Sequence, residues 1–558
     1  MIHPPSIYDF RFKDIRSGPI SDVIPSTPVF EMYPIGFVSM LNYLISNGFN
    51  ARISNLAVLM LHSAKFNVEK YISRLDSDLF GISLHWLPHV HGAINIARII
   101  KKEHPDSKIV LGGFSSSYFK EEIMHNYPEI DFILSGDLQE KNTADLADVV
   151  QGHGRLEDIP SLSYRGDNAG IKFNPVRWNS GDIDRVFLNY EVLMKNSLKY
   201  HDIIAHTPYA GWLNNPQGFT VIEHGCSLNC GFCGGSNFAF RGQYGYASPL
   251  IRKPERVAEE IELIQEVLGA PFFIAGDLNN LGEAYYETFF SEIKQRGIDL
   301  PILTEYFMPP NEKFIASLSK ALPDFAMEMS PESMDEKIRG ANRSLYSNLE
   351  LEKSLEIAKS HGCKKFDLYF SIGLREQKSD DVISTVRSAG QILEKYNRDG
   401  MSTDCFISPI SPFVDPGSLW FEQSERQGFI ITARKLSDFY DILDRGRSWE
   451  DYLNYHTIWM SKKEIIDSTY EAEIEMTRIR QKAGIISTDR AEHIISNVTN
   501  YLQGGVGYHS RGRESHLTYM KKDIEWSRKH QLSPYSFLIF LYSKYNALRK
   551  DIGGGREK

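Results

Sequence analysis

Cysteine is scarce in this chain: five in 558 residues, three of them within eight positions. So small and odd a number in so long a chain excludes a disulfide framework. Long apolar runs are missing as well. No stretch reaches the roughly 18 uninterrupted apolar residues of a membrane-spanning helix, and the longest late run, Tyr535–Tyr542, is about half that. The opening MIHPPSIYDF lacks a basic flank followed by an apolar segment, so no secretory leader is read there and the expected location is cytoplasmic. At 42% hydrophobic and 24% charged, the composition is that of a globular protein with room for two or three cores. Positive charge is short except at one end. The net charge is −10, yet from Arg511 onward eleven Lys and Arg stand against five Asp and Glu, which leaves −16 on the first 510 residues. That basic end suits an anionic partner, and equally a solvated helix face. Nucleic acid is not expected, because a body at −16 repels a polyanion.

What the chain does hold is a cysteine triplet, Cys226, Cys230 and Cys233, in the segment Glu223-His224-Gly225-Cys226-Ser227-Leu228-Asn229-Cys230-Gly231-Phe232-Cys233-Gly234-Gly235. Three thiolates spaced C-x3-C-x2-C on one loop can wrap a [4Fe–4S] cubane and ligate three of its irons. The fourth iron stays open for the amino and carboxylate groups of S-adenosylmethionine (SAM), whose cleavage yields a 5′-deoxyadenosyl radical. Clusters that only carry electrons usually have four cysteines, and zinc sites usually complete four ligands. Zinc on the triplet plus His224 is the alternative. Gly231, Gly234 and Gly235 allow close backbone approach. Cys363 and Cys405 lie beside apolar segments and read as buried thiols, too few for a second cubane.

Beyond the triplet, strand-like and helix-like segments alternate, the mark of a parallel sheet with helical crossovers. Lys253-Pro254-Glu255 opens a helix with Val257, Ile261, Ile264 and Leu268 on one face. Strands are expected at TVIEHG, PFFIAGD, LPILTEYF, FAMEMSPES, KKFDLYFSIGL and CFISPISPF. Residues 215–430 resemble a radical SAM partial (β/α)6 barrel. The resemblance implies SAM contacts at Phe232, at Gly276 and Asp277 in place of the family's Gly-Gly-Glu, and at Ser330, Glu332 and Arg339 around the fourth strand. It extends them to Ile372 and Gly373 at the fifth strand and Pro412 at the sixth, all at strand C-terminal ends.

Residues 1–150 read as a second α/β unit, a doubly wound sheet. Its strand candidates are ARISNLAVL, SDLFGISL, SKIVLGGFS and IDFILSGD, with a helix through Ala93, Ile96, Ile99 and Ile100. It resembles the Rossmann-like cobalamin-binding domain that precedes many radical SAM barrels. The residues that carry the likeness, and the implied contacts, are Pro34 and Gly36 opening a helix, Ser83 and His85, Gly112, Gly113, Phe114 and Ser115, and Gly136 with Asp137. No D-x-H-x-x-G segment supplies a cobalt ligand; His85, His89 and His91 read either as lower ligands or as rim residues. The G-x-G-x-x-G dinucleotide fingerprint is absent; a module that binds nothing, or a nucleotide, is the alternative. Residues 151–214 are expected to link the two units, and residues 431–558 to form a mainly α region whose basic, aromatic end suits peripheral contact with the inner membrane surface.

Over nearly its whole length the chain resembles an archaeal group of cobalamin-domain radical SAM proteins that includes enzymes placing cyclopentane rings in tetraether membrane lipids. The resemblance implies a [4Fe–4S] cluster, SAM and cobalamin as cofactors, a membrane lipid substrate, and a reductant such as ferredoxin or flavodoxin. Ring closure in biphytanyl chains is the leading expectation. Cobalamin-dependent C-methyl transfer is the second, and a non-catalytic cofactor sensor the third.

Overall fold

The computed structural model describes residues 1–13, 15, 29–166, 170–176, 183–246, 248–342, 344–398, 401–410 and 413–502. The first unit is a seven-stranded sheet of β1 (Ile2–His3), β2 (Ser54–Asn55), β3 (Leu79–Ser83), β4 (Lys108–Gly112), β5 (Phe132–Leu134), β6 (Leu162–Arg165) and β7 (Ile171–Phe173), in the order β2-β1-β3-β4-β5-β6-β7. The first five strands pair in parallel. β3 to β5 are near-continuous apolar runs because helices cover both faces, as parallel sheets require. The crossover helix Val90–Glu103 buries Ala93, Ile96, Ile99 and Ile100, as its periodicity predicts.

Two expectations change here. ARISNLAVL is not one strand. Only Ser54–Asn55 pairs, and the Asn55 side chain then accepts from Val58 N and caps the helix Leu56–His62. Leu56 to Met60 are all buried, so the run carries no amphipathic period that would betray a helix. The described part of the stretch 151–214, read as a linker, is folded. β6 pairs antiparallel with β5 and β7 with β6, and Tyr190, Leu193 and Met194 of the helix Tyr190–Lys199 are buried.

The second unit is a row of six parallel strands. β8 (Gly218–Val221) runs into the short β9 (Glu223–His224), which pairs antiparallel with β10 (Leu250–Ile251). β11 (Phe272–Ala275), β12 (Ile302–Tyr306), β13 (Phe325–Glu332), β14 (Lys365–Ile372) and β15 (Cys405–Pro409) follow, in the order β15-β14-β13-β12-β11-β8. Each is joined to the next by helices, the expected open (β/α)6 arrangement. One hydrophobic core runs continuously from Ile2 through both units to Met476. A last antiparallel pair, β16 (Phe429–Ile431) and β17 (Tyr455–Thr457), is followed by the helices Lys462–Lys482 and Thr488–Leu502. Among the described residues no helix is long and apolar enough to cross a membrane. The basic aromatic end, residues 511–558, lies outside the described residues.

Side-chain alternation divides the barrel strands into two faces. In β12, Ile302, Thr304 and Tyr306 are at most 1% exposed against the helices, whereas Glu305 on the other face is reached by solvent. Phe219, Phe273, Glu328, Tyr369 and Phe406 repeat that partial exposure on the neighbouring strands. The inner face therefore lines an open lumen. At the C-terminal end of β8 a buried ion pair, Arg252 Nη2 to Glu260 Oε2 at 3.0 Å, ties the strand to the helix Pro254–Val267. Glu260 also accepts from Thr220 Oγ1 at 2.5 Å and from Leu188 N at 2.8 Å.

Candidate functional site

Two sites face each other across the junction of the units. In the first, the C-terminal ends of β3, β4 and β5 open onto a cavity of ≈ 160 Å³. Nine of the ten residues expected to contact cobalamin line it: Pro34, Gly36, Ser83, His85, Gly112, Gly113, Phe114, Gly136 and Asp137. The tenth, Ser115, does not. Its N–H and Oγ both donate to the His85 carbonyl, so it fixes the chain beside the cavity. Gly113 has φ +114°, and a Cβ there would overlap the His85 backbone, so only glycine closes this turn. Phe37, Met40, Val110, Leu111, Leu134 and Leu138 add apolar wall, and Glu140, its carboxylate accepting from Ser39 Oγ at 2.6 Å, adds a polar point. A glycine-rimmed, mainly apolar slot with a few polar groups at strand ends fits a flat macrocycle and its nucleotide tail.

The second site is the cysteine loop. β8 and β9 deliver it, and Gly225 (φ +85°) turns the chain where a Cβ would overlap Tyr246 Oη. Tyr246 Oη accepts from Cys226 N at 3.0 Å. Leu228 N donates to Cys226 Sγ at 3.4 Å and Gly235 N to Cys233 Sγ at 3.3 Å, contacts that favour sulfur as thiolate. The segment after β15 clamps the loop from outside: Trp420 N donates to Gly231 O at 2.8 Å, and Gly234 N to Asp415 Oδ2 at 2.9 Å. A Cβ on Gly231 would overlap the Trp420 indole nitrogen. All three cysteines are free and part-exposed, whereas Cys363 and Cys405 are buried as expected. Burial pushes the Cys230 thiol up to about 12, with Glu332 adding to it, and raises Cys226 and Cys233 as well; a metal would displace these protons.

Among the described residues no three His, Cys, Asp or Glu side chains converge tightly enough for a single metal ion. A cubane takes each thiolate at a separate corner and needs them apart. The zinc alternative also fails on His224, whose Nδ1 lies 2.9 Å from Asp137 Oδ2 and not on the cysteines. The donor set fits a cluster.

That His224–Asp137 contact joins the two sites. Burial opposes charge on both groups, and their mutual attraction outweighs it, so His224 is raised and Asp137 lowered. The helix Asn237–Tyr244, which leaves the cysteine loop, packs Phe240 against Phe114 of the cavity wall at 5.2 Å between ring centroids.

The residues expected to contact SAM divide. Gly276 (φ +113°) sits at the end of β11, as expected, and its N–H donates to Glu305 Oε1 at 2.7 Å. The neighbouring Asp277 is 3% exposed and spends its carboxylate on Asn280 N and Phe307 N, both at 3.1 Å, so it holds a turn. Arg339 is fully buried and donates to the carbonyls of Ser333 and Tyr346 and to Asn348 Oδ1, which makes it an organiser of the loop after β13. Ser330 is exposed at the end of β13, and Glu332 (φ +65°) is 7% exposed with Oε2 unpartnered. Gly373 (φ +84°) donates to Gln377 Oε1, the Ile372 carbonyl accepts from Tyr455 Oη, and Phe232 leans on Trp420 at 5.7 Å. Pro412 lies outside the described residues.

Sequence reasoning passed over three carboxyls here. Glu223, Glu305 and Glu328 sit beside the loop or in the lumen, and burial first, then neighbouring carboxylates, pushes them up to about 7, 7 and 8. The signal for Glu305 and Glu328 was a Glu at an inward register position of a mainly apolar strand: Glu305 pairs across from Glu328, and Glu328 from Asp367.

Comparison with known proteins agrees with this geometry. Residues 22–154 match the B12 binding domain family, and residues 220–389 match the radical SAM superfamily. The uncharacterized methyltransferase PH0819 of Pyrococcus horikoshii is 22% identical over 343 residues, 60% of this chain and 69% of that protein. Hopanoid C-3 methylase of Methylococcus capsulatus is 24% identical over 248 residues, 43% of this chain and 42% of that one. Anaerobic magnesium-protoporphyrin IX monomethyl ester cyclase of Synechocystis is 24% identical over 206 residues, 37% of each chain. Among solved structures, the radical SAM methyltransferase TsrM of Kitasatospora setae, with cobalamin and a [4Fe–4S] cluster bound, superposes with a TM-score of 0.57 at 13% identity, covering 84% of this chain and 97% of that one. The cobalamin-dependent SAM radical enzyme OxsB, with aqua-cobalamin and SAM bound, gives 0.55 at 13% identity, covering 100% and 81%. At these identities the structures attest the fold.

Proposed function

From a B12-binding domain and a radical SAM domain in one chain, with cobalamin, SAM and a [4Fe–4S] cluster as cofactors, we propose a C-methyltransferase acting on an unactivated carbon. The observation that carries this reading is the direct contact between the two sites, Asp137 to His224 across the junction. A methyl donor and a radical generator must address the same carbon, and a direct contact between the two sites supports such a shared task. Two relatives carry methyl transfer in their names.

When bound, the cluster with SAM supplies a hydrogen-abstracting carbon radical and cobalamin supplies the methyl group. The chain's own part is to hold and shield. Cys226, Cys230 and Cys233 would hold the cluster, and the strand-end glycines the macrocycle. Trp420 packs against Phe232 and Gly231 and braces the loop from one side. Ferredoxin or flavodoxin is the proposed reductant.

The lumen shapes the acceptor. Phe219, Phe273 and the stacked pair Tyr369–Phe406, 5.1 Å apart, offer flat apolar contact. Glu305 and Glu328 beside them gain from a hydrogen-bonding or cationic group and lose from bare hydrocarbon. That argues against the saturated biphytanyl chain of the ring-closing reading, whose other support, the basic aromatic end, lies outside the described residues. The test is anaerobic incubation of the cofactor-loaded enzyme with methyl-labelled SAM and candidate acceptors. Formation of 5′-deoxyadenosine with one labelled carbon per product supports methyl transfer. A product that loses two hydrogens and gains no label would replace this reading with ring closure.

A further inference from the structure

Three histidines crowd the cobalamin side of the junction, and the structure separates them. His89 is 0% exposed, and its Nε2 is bonded to the Phe30 carbonyl at 2.8 Å. His91 is engaged at both nitrogens, Nδ1 accepting from Tyr8 N at 3.1 Å and Nε2 facing Asp444 Oδ1 at 3.2 Å. Neither lines the cavity. His85 does, and no other imidazole or thiol stands among the lining residues.

His85 is also held in place. Its carbonyl accepts from both the N–H and the Oγ of Ser115, Leu84 O accepts from Ser116 N, and the glycine at 113 lets the helix start lie directly on the His85 backbone. The ring lies between two aromatics, 4.6 Å from Trp86 and 4.5 Å from Phe114. With rotation so restricted, neither ring nitrogen is hydrogen-bonded to any described residue. Burial pushes the imidazole down to about 4, so it is neutral at physiological pH with a lone pair free, and the Asp137 charge acts on it across the cavity. A neutral imidazole held by packing, with its ring nitrogens unclaimed, is able to ligate a metal.

We propose that His85 is the lower axial ligand of the cobalt when cobalamin is bound, replacing the D-x-H-x-x-G histidine that this chain lacks. The bond forms between an imidazole nitrogen lone pair and the metal, with no proton or electron transferred. The benzimidazole of the cofactor is displaced from the cobalt, and the slot among Ile82, Val110, Leu111 and Leu134 is where it would lodge.

The test needs no substrate and is independent of the methyl-transfer reading. The full chain is loaded with cob(II)alamin, its cluster kept in the diamagnetic oxidised state, and its electron paramagnetic resonance spectrum recorded. The expected spectrum has cobalt lines split into triplets by one axial nitrogen, which become doublets in protein grown with nitrogen-15 histidine. In His85→Gln protein that still retains cobalamin, the splitting is lost. Three results would overturn the proposal: no nitrogen splitting in the native chain, triplets indifferent to histidine labelling, or label-sensitive splitting that survives in H85Q. The labelling arm uses the native protein, so a poorly folding variant leaves the question decided.

Discussion

The ion pair beneath the cysteine loop makes a quantitative prediction. Arg252 and Glu260 are at most 1% exposed and bonded at 3.0 Å. Replacing Glu260 by alanine leaves the guanidinium buried with only the Val221 carbonyl at 3.0 Å and Thr220 Oγ1 at 3.5 Å to satisfy it, and strips the acceptor from Leu188 N. Breaking one side of such a pair costs about 3–5 kcal/mol, whereas exchanging both partners for apolar groups of like size is often neutral. A chain with two packed units need not unfold in one step, so a melting midpoint is the wrong assay. Native-state hydrogen exchange of the β8 amides is the right one. In Glu260→Ala their exchange should accelerate by roughly two to four orders of magnitude, at tenfold per 1.36 kcal/mol. In the double variant R252M/E260L it should return to within about tenfold of the native rate. Because β8 leads into the loop, bound iron after anaerobic reconstitution should fall in the single variant and recover in the double. Native-like β8 exchange in Glu260→Ala, or a double variant as fast as the single, would refute the argument that an unpaired buried charge sets the cost.

Three further outcomes are expected. Gly231→Ala drives a methyl into the Trp420 indole and should sharply lower iron and sulfide content, whereas Gly242→Ala, with open space around its Cβ position, should leave both unchanged. Asp137→Asn and His224→Gln should each weaken cobalamin retention, and a double-mutant cycle on the dissociation constant should return a coupling of about 1.5–3 kcal/mol, the range for a charged hydrogen bond; independent effects would disprove the link between the sites. His89 and His206 are held down to about 4 by burial, so between pH 6.5 and about 4 the unfolded chain takes up protons that the folded chain refuses. These two histidines should therefore cost nothing above pH 6.5 and lower stability below it, by about 1.4 kcal/mol per pH unit each. That contribution is opposed by the raised carboxyls Glu223, Glu305 and Glu328, and is isolated as the difference in hydrogen-exchange protection between the native chain and His206→Gln at stepwise lower pH.

Much of this was legible in the sequence for physical reasons. The triplet spacing, the buried β3–β5 and β11–β15 runs, and the glycines at strand ends each express a local constraint: ligand reach, two-sided burial, a backbone turn. What stayed hidden depended mostly on partners far along the chain. Asp277 stands where the family motif has Glu, and its carboxylate is claimed by Phe307 N, 30 residues on, while Arg339 is taken up by the carbonyls of Ser333 and Tyr346 in its own loop. His224, weighed only as the fourth ligand of the zinc alternative, is bonded to Asp137, 87 residues away, a partner no local pattern announces. The helix at Leu56–His62 was misread because burial on every side erases the period by which helices are recognised.

The six-stranded row ends at β8 and β15, and those two edges are not hydrogen-bonded to each other. They are held together by the cysteine loop and the segment carrying Asp415 and Trp420, with Trp420 stacked on Phe429 at 4.2 Å. The seam of the barrel is thus made of loops and side chains, not of a backbone ladder. Its bore can be changed by swapping a few side chains without unzipping any strand, so the place that grips the metal loop is also the place where evolution, or a protein engineer, could retune the size of molecule admitted.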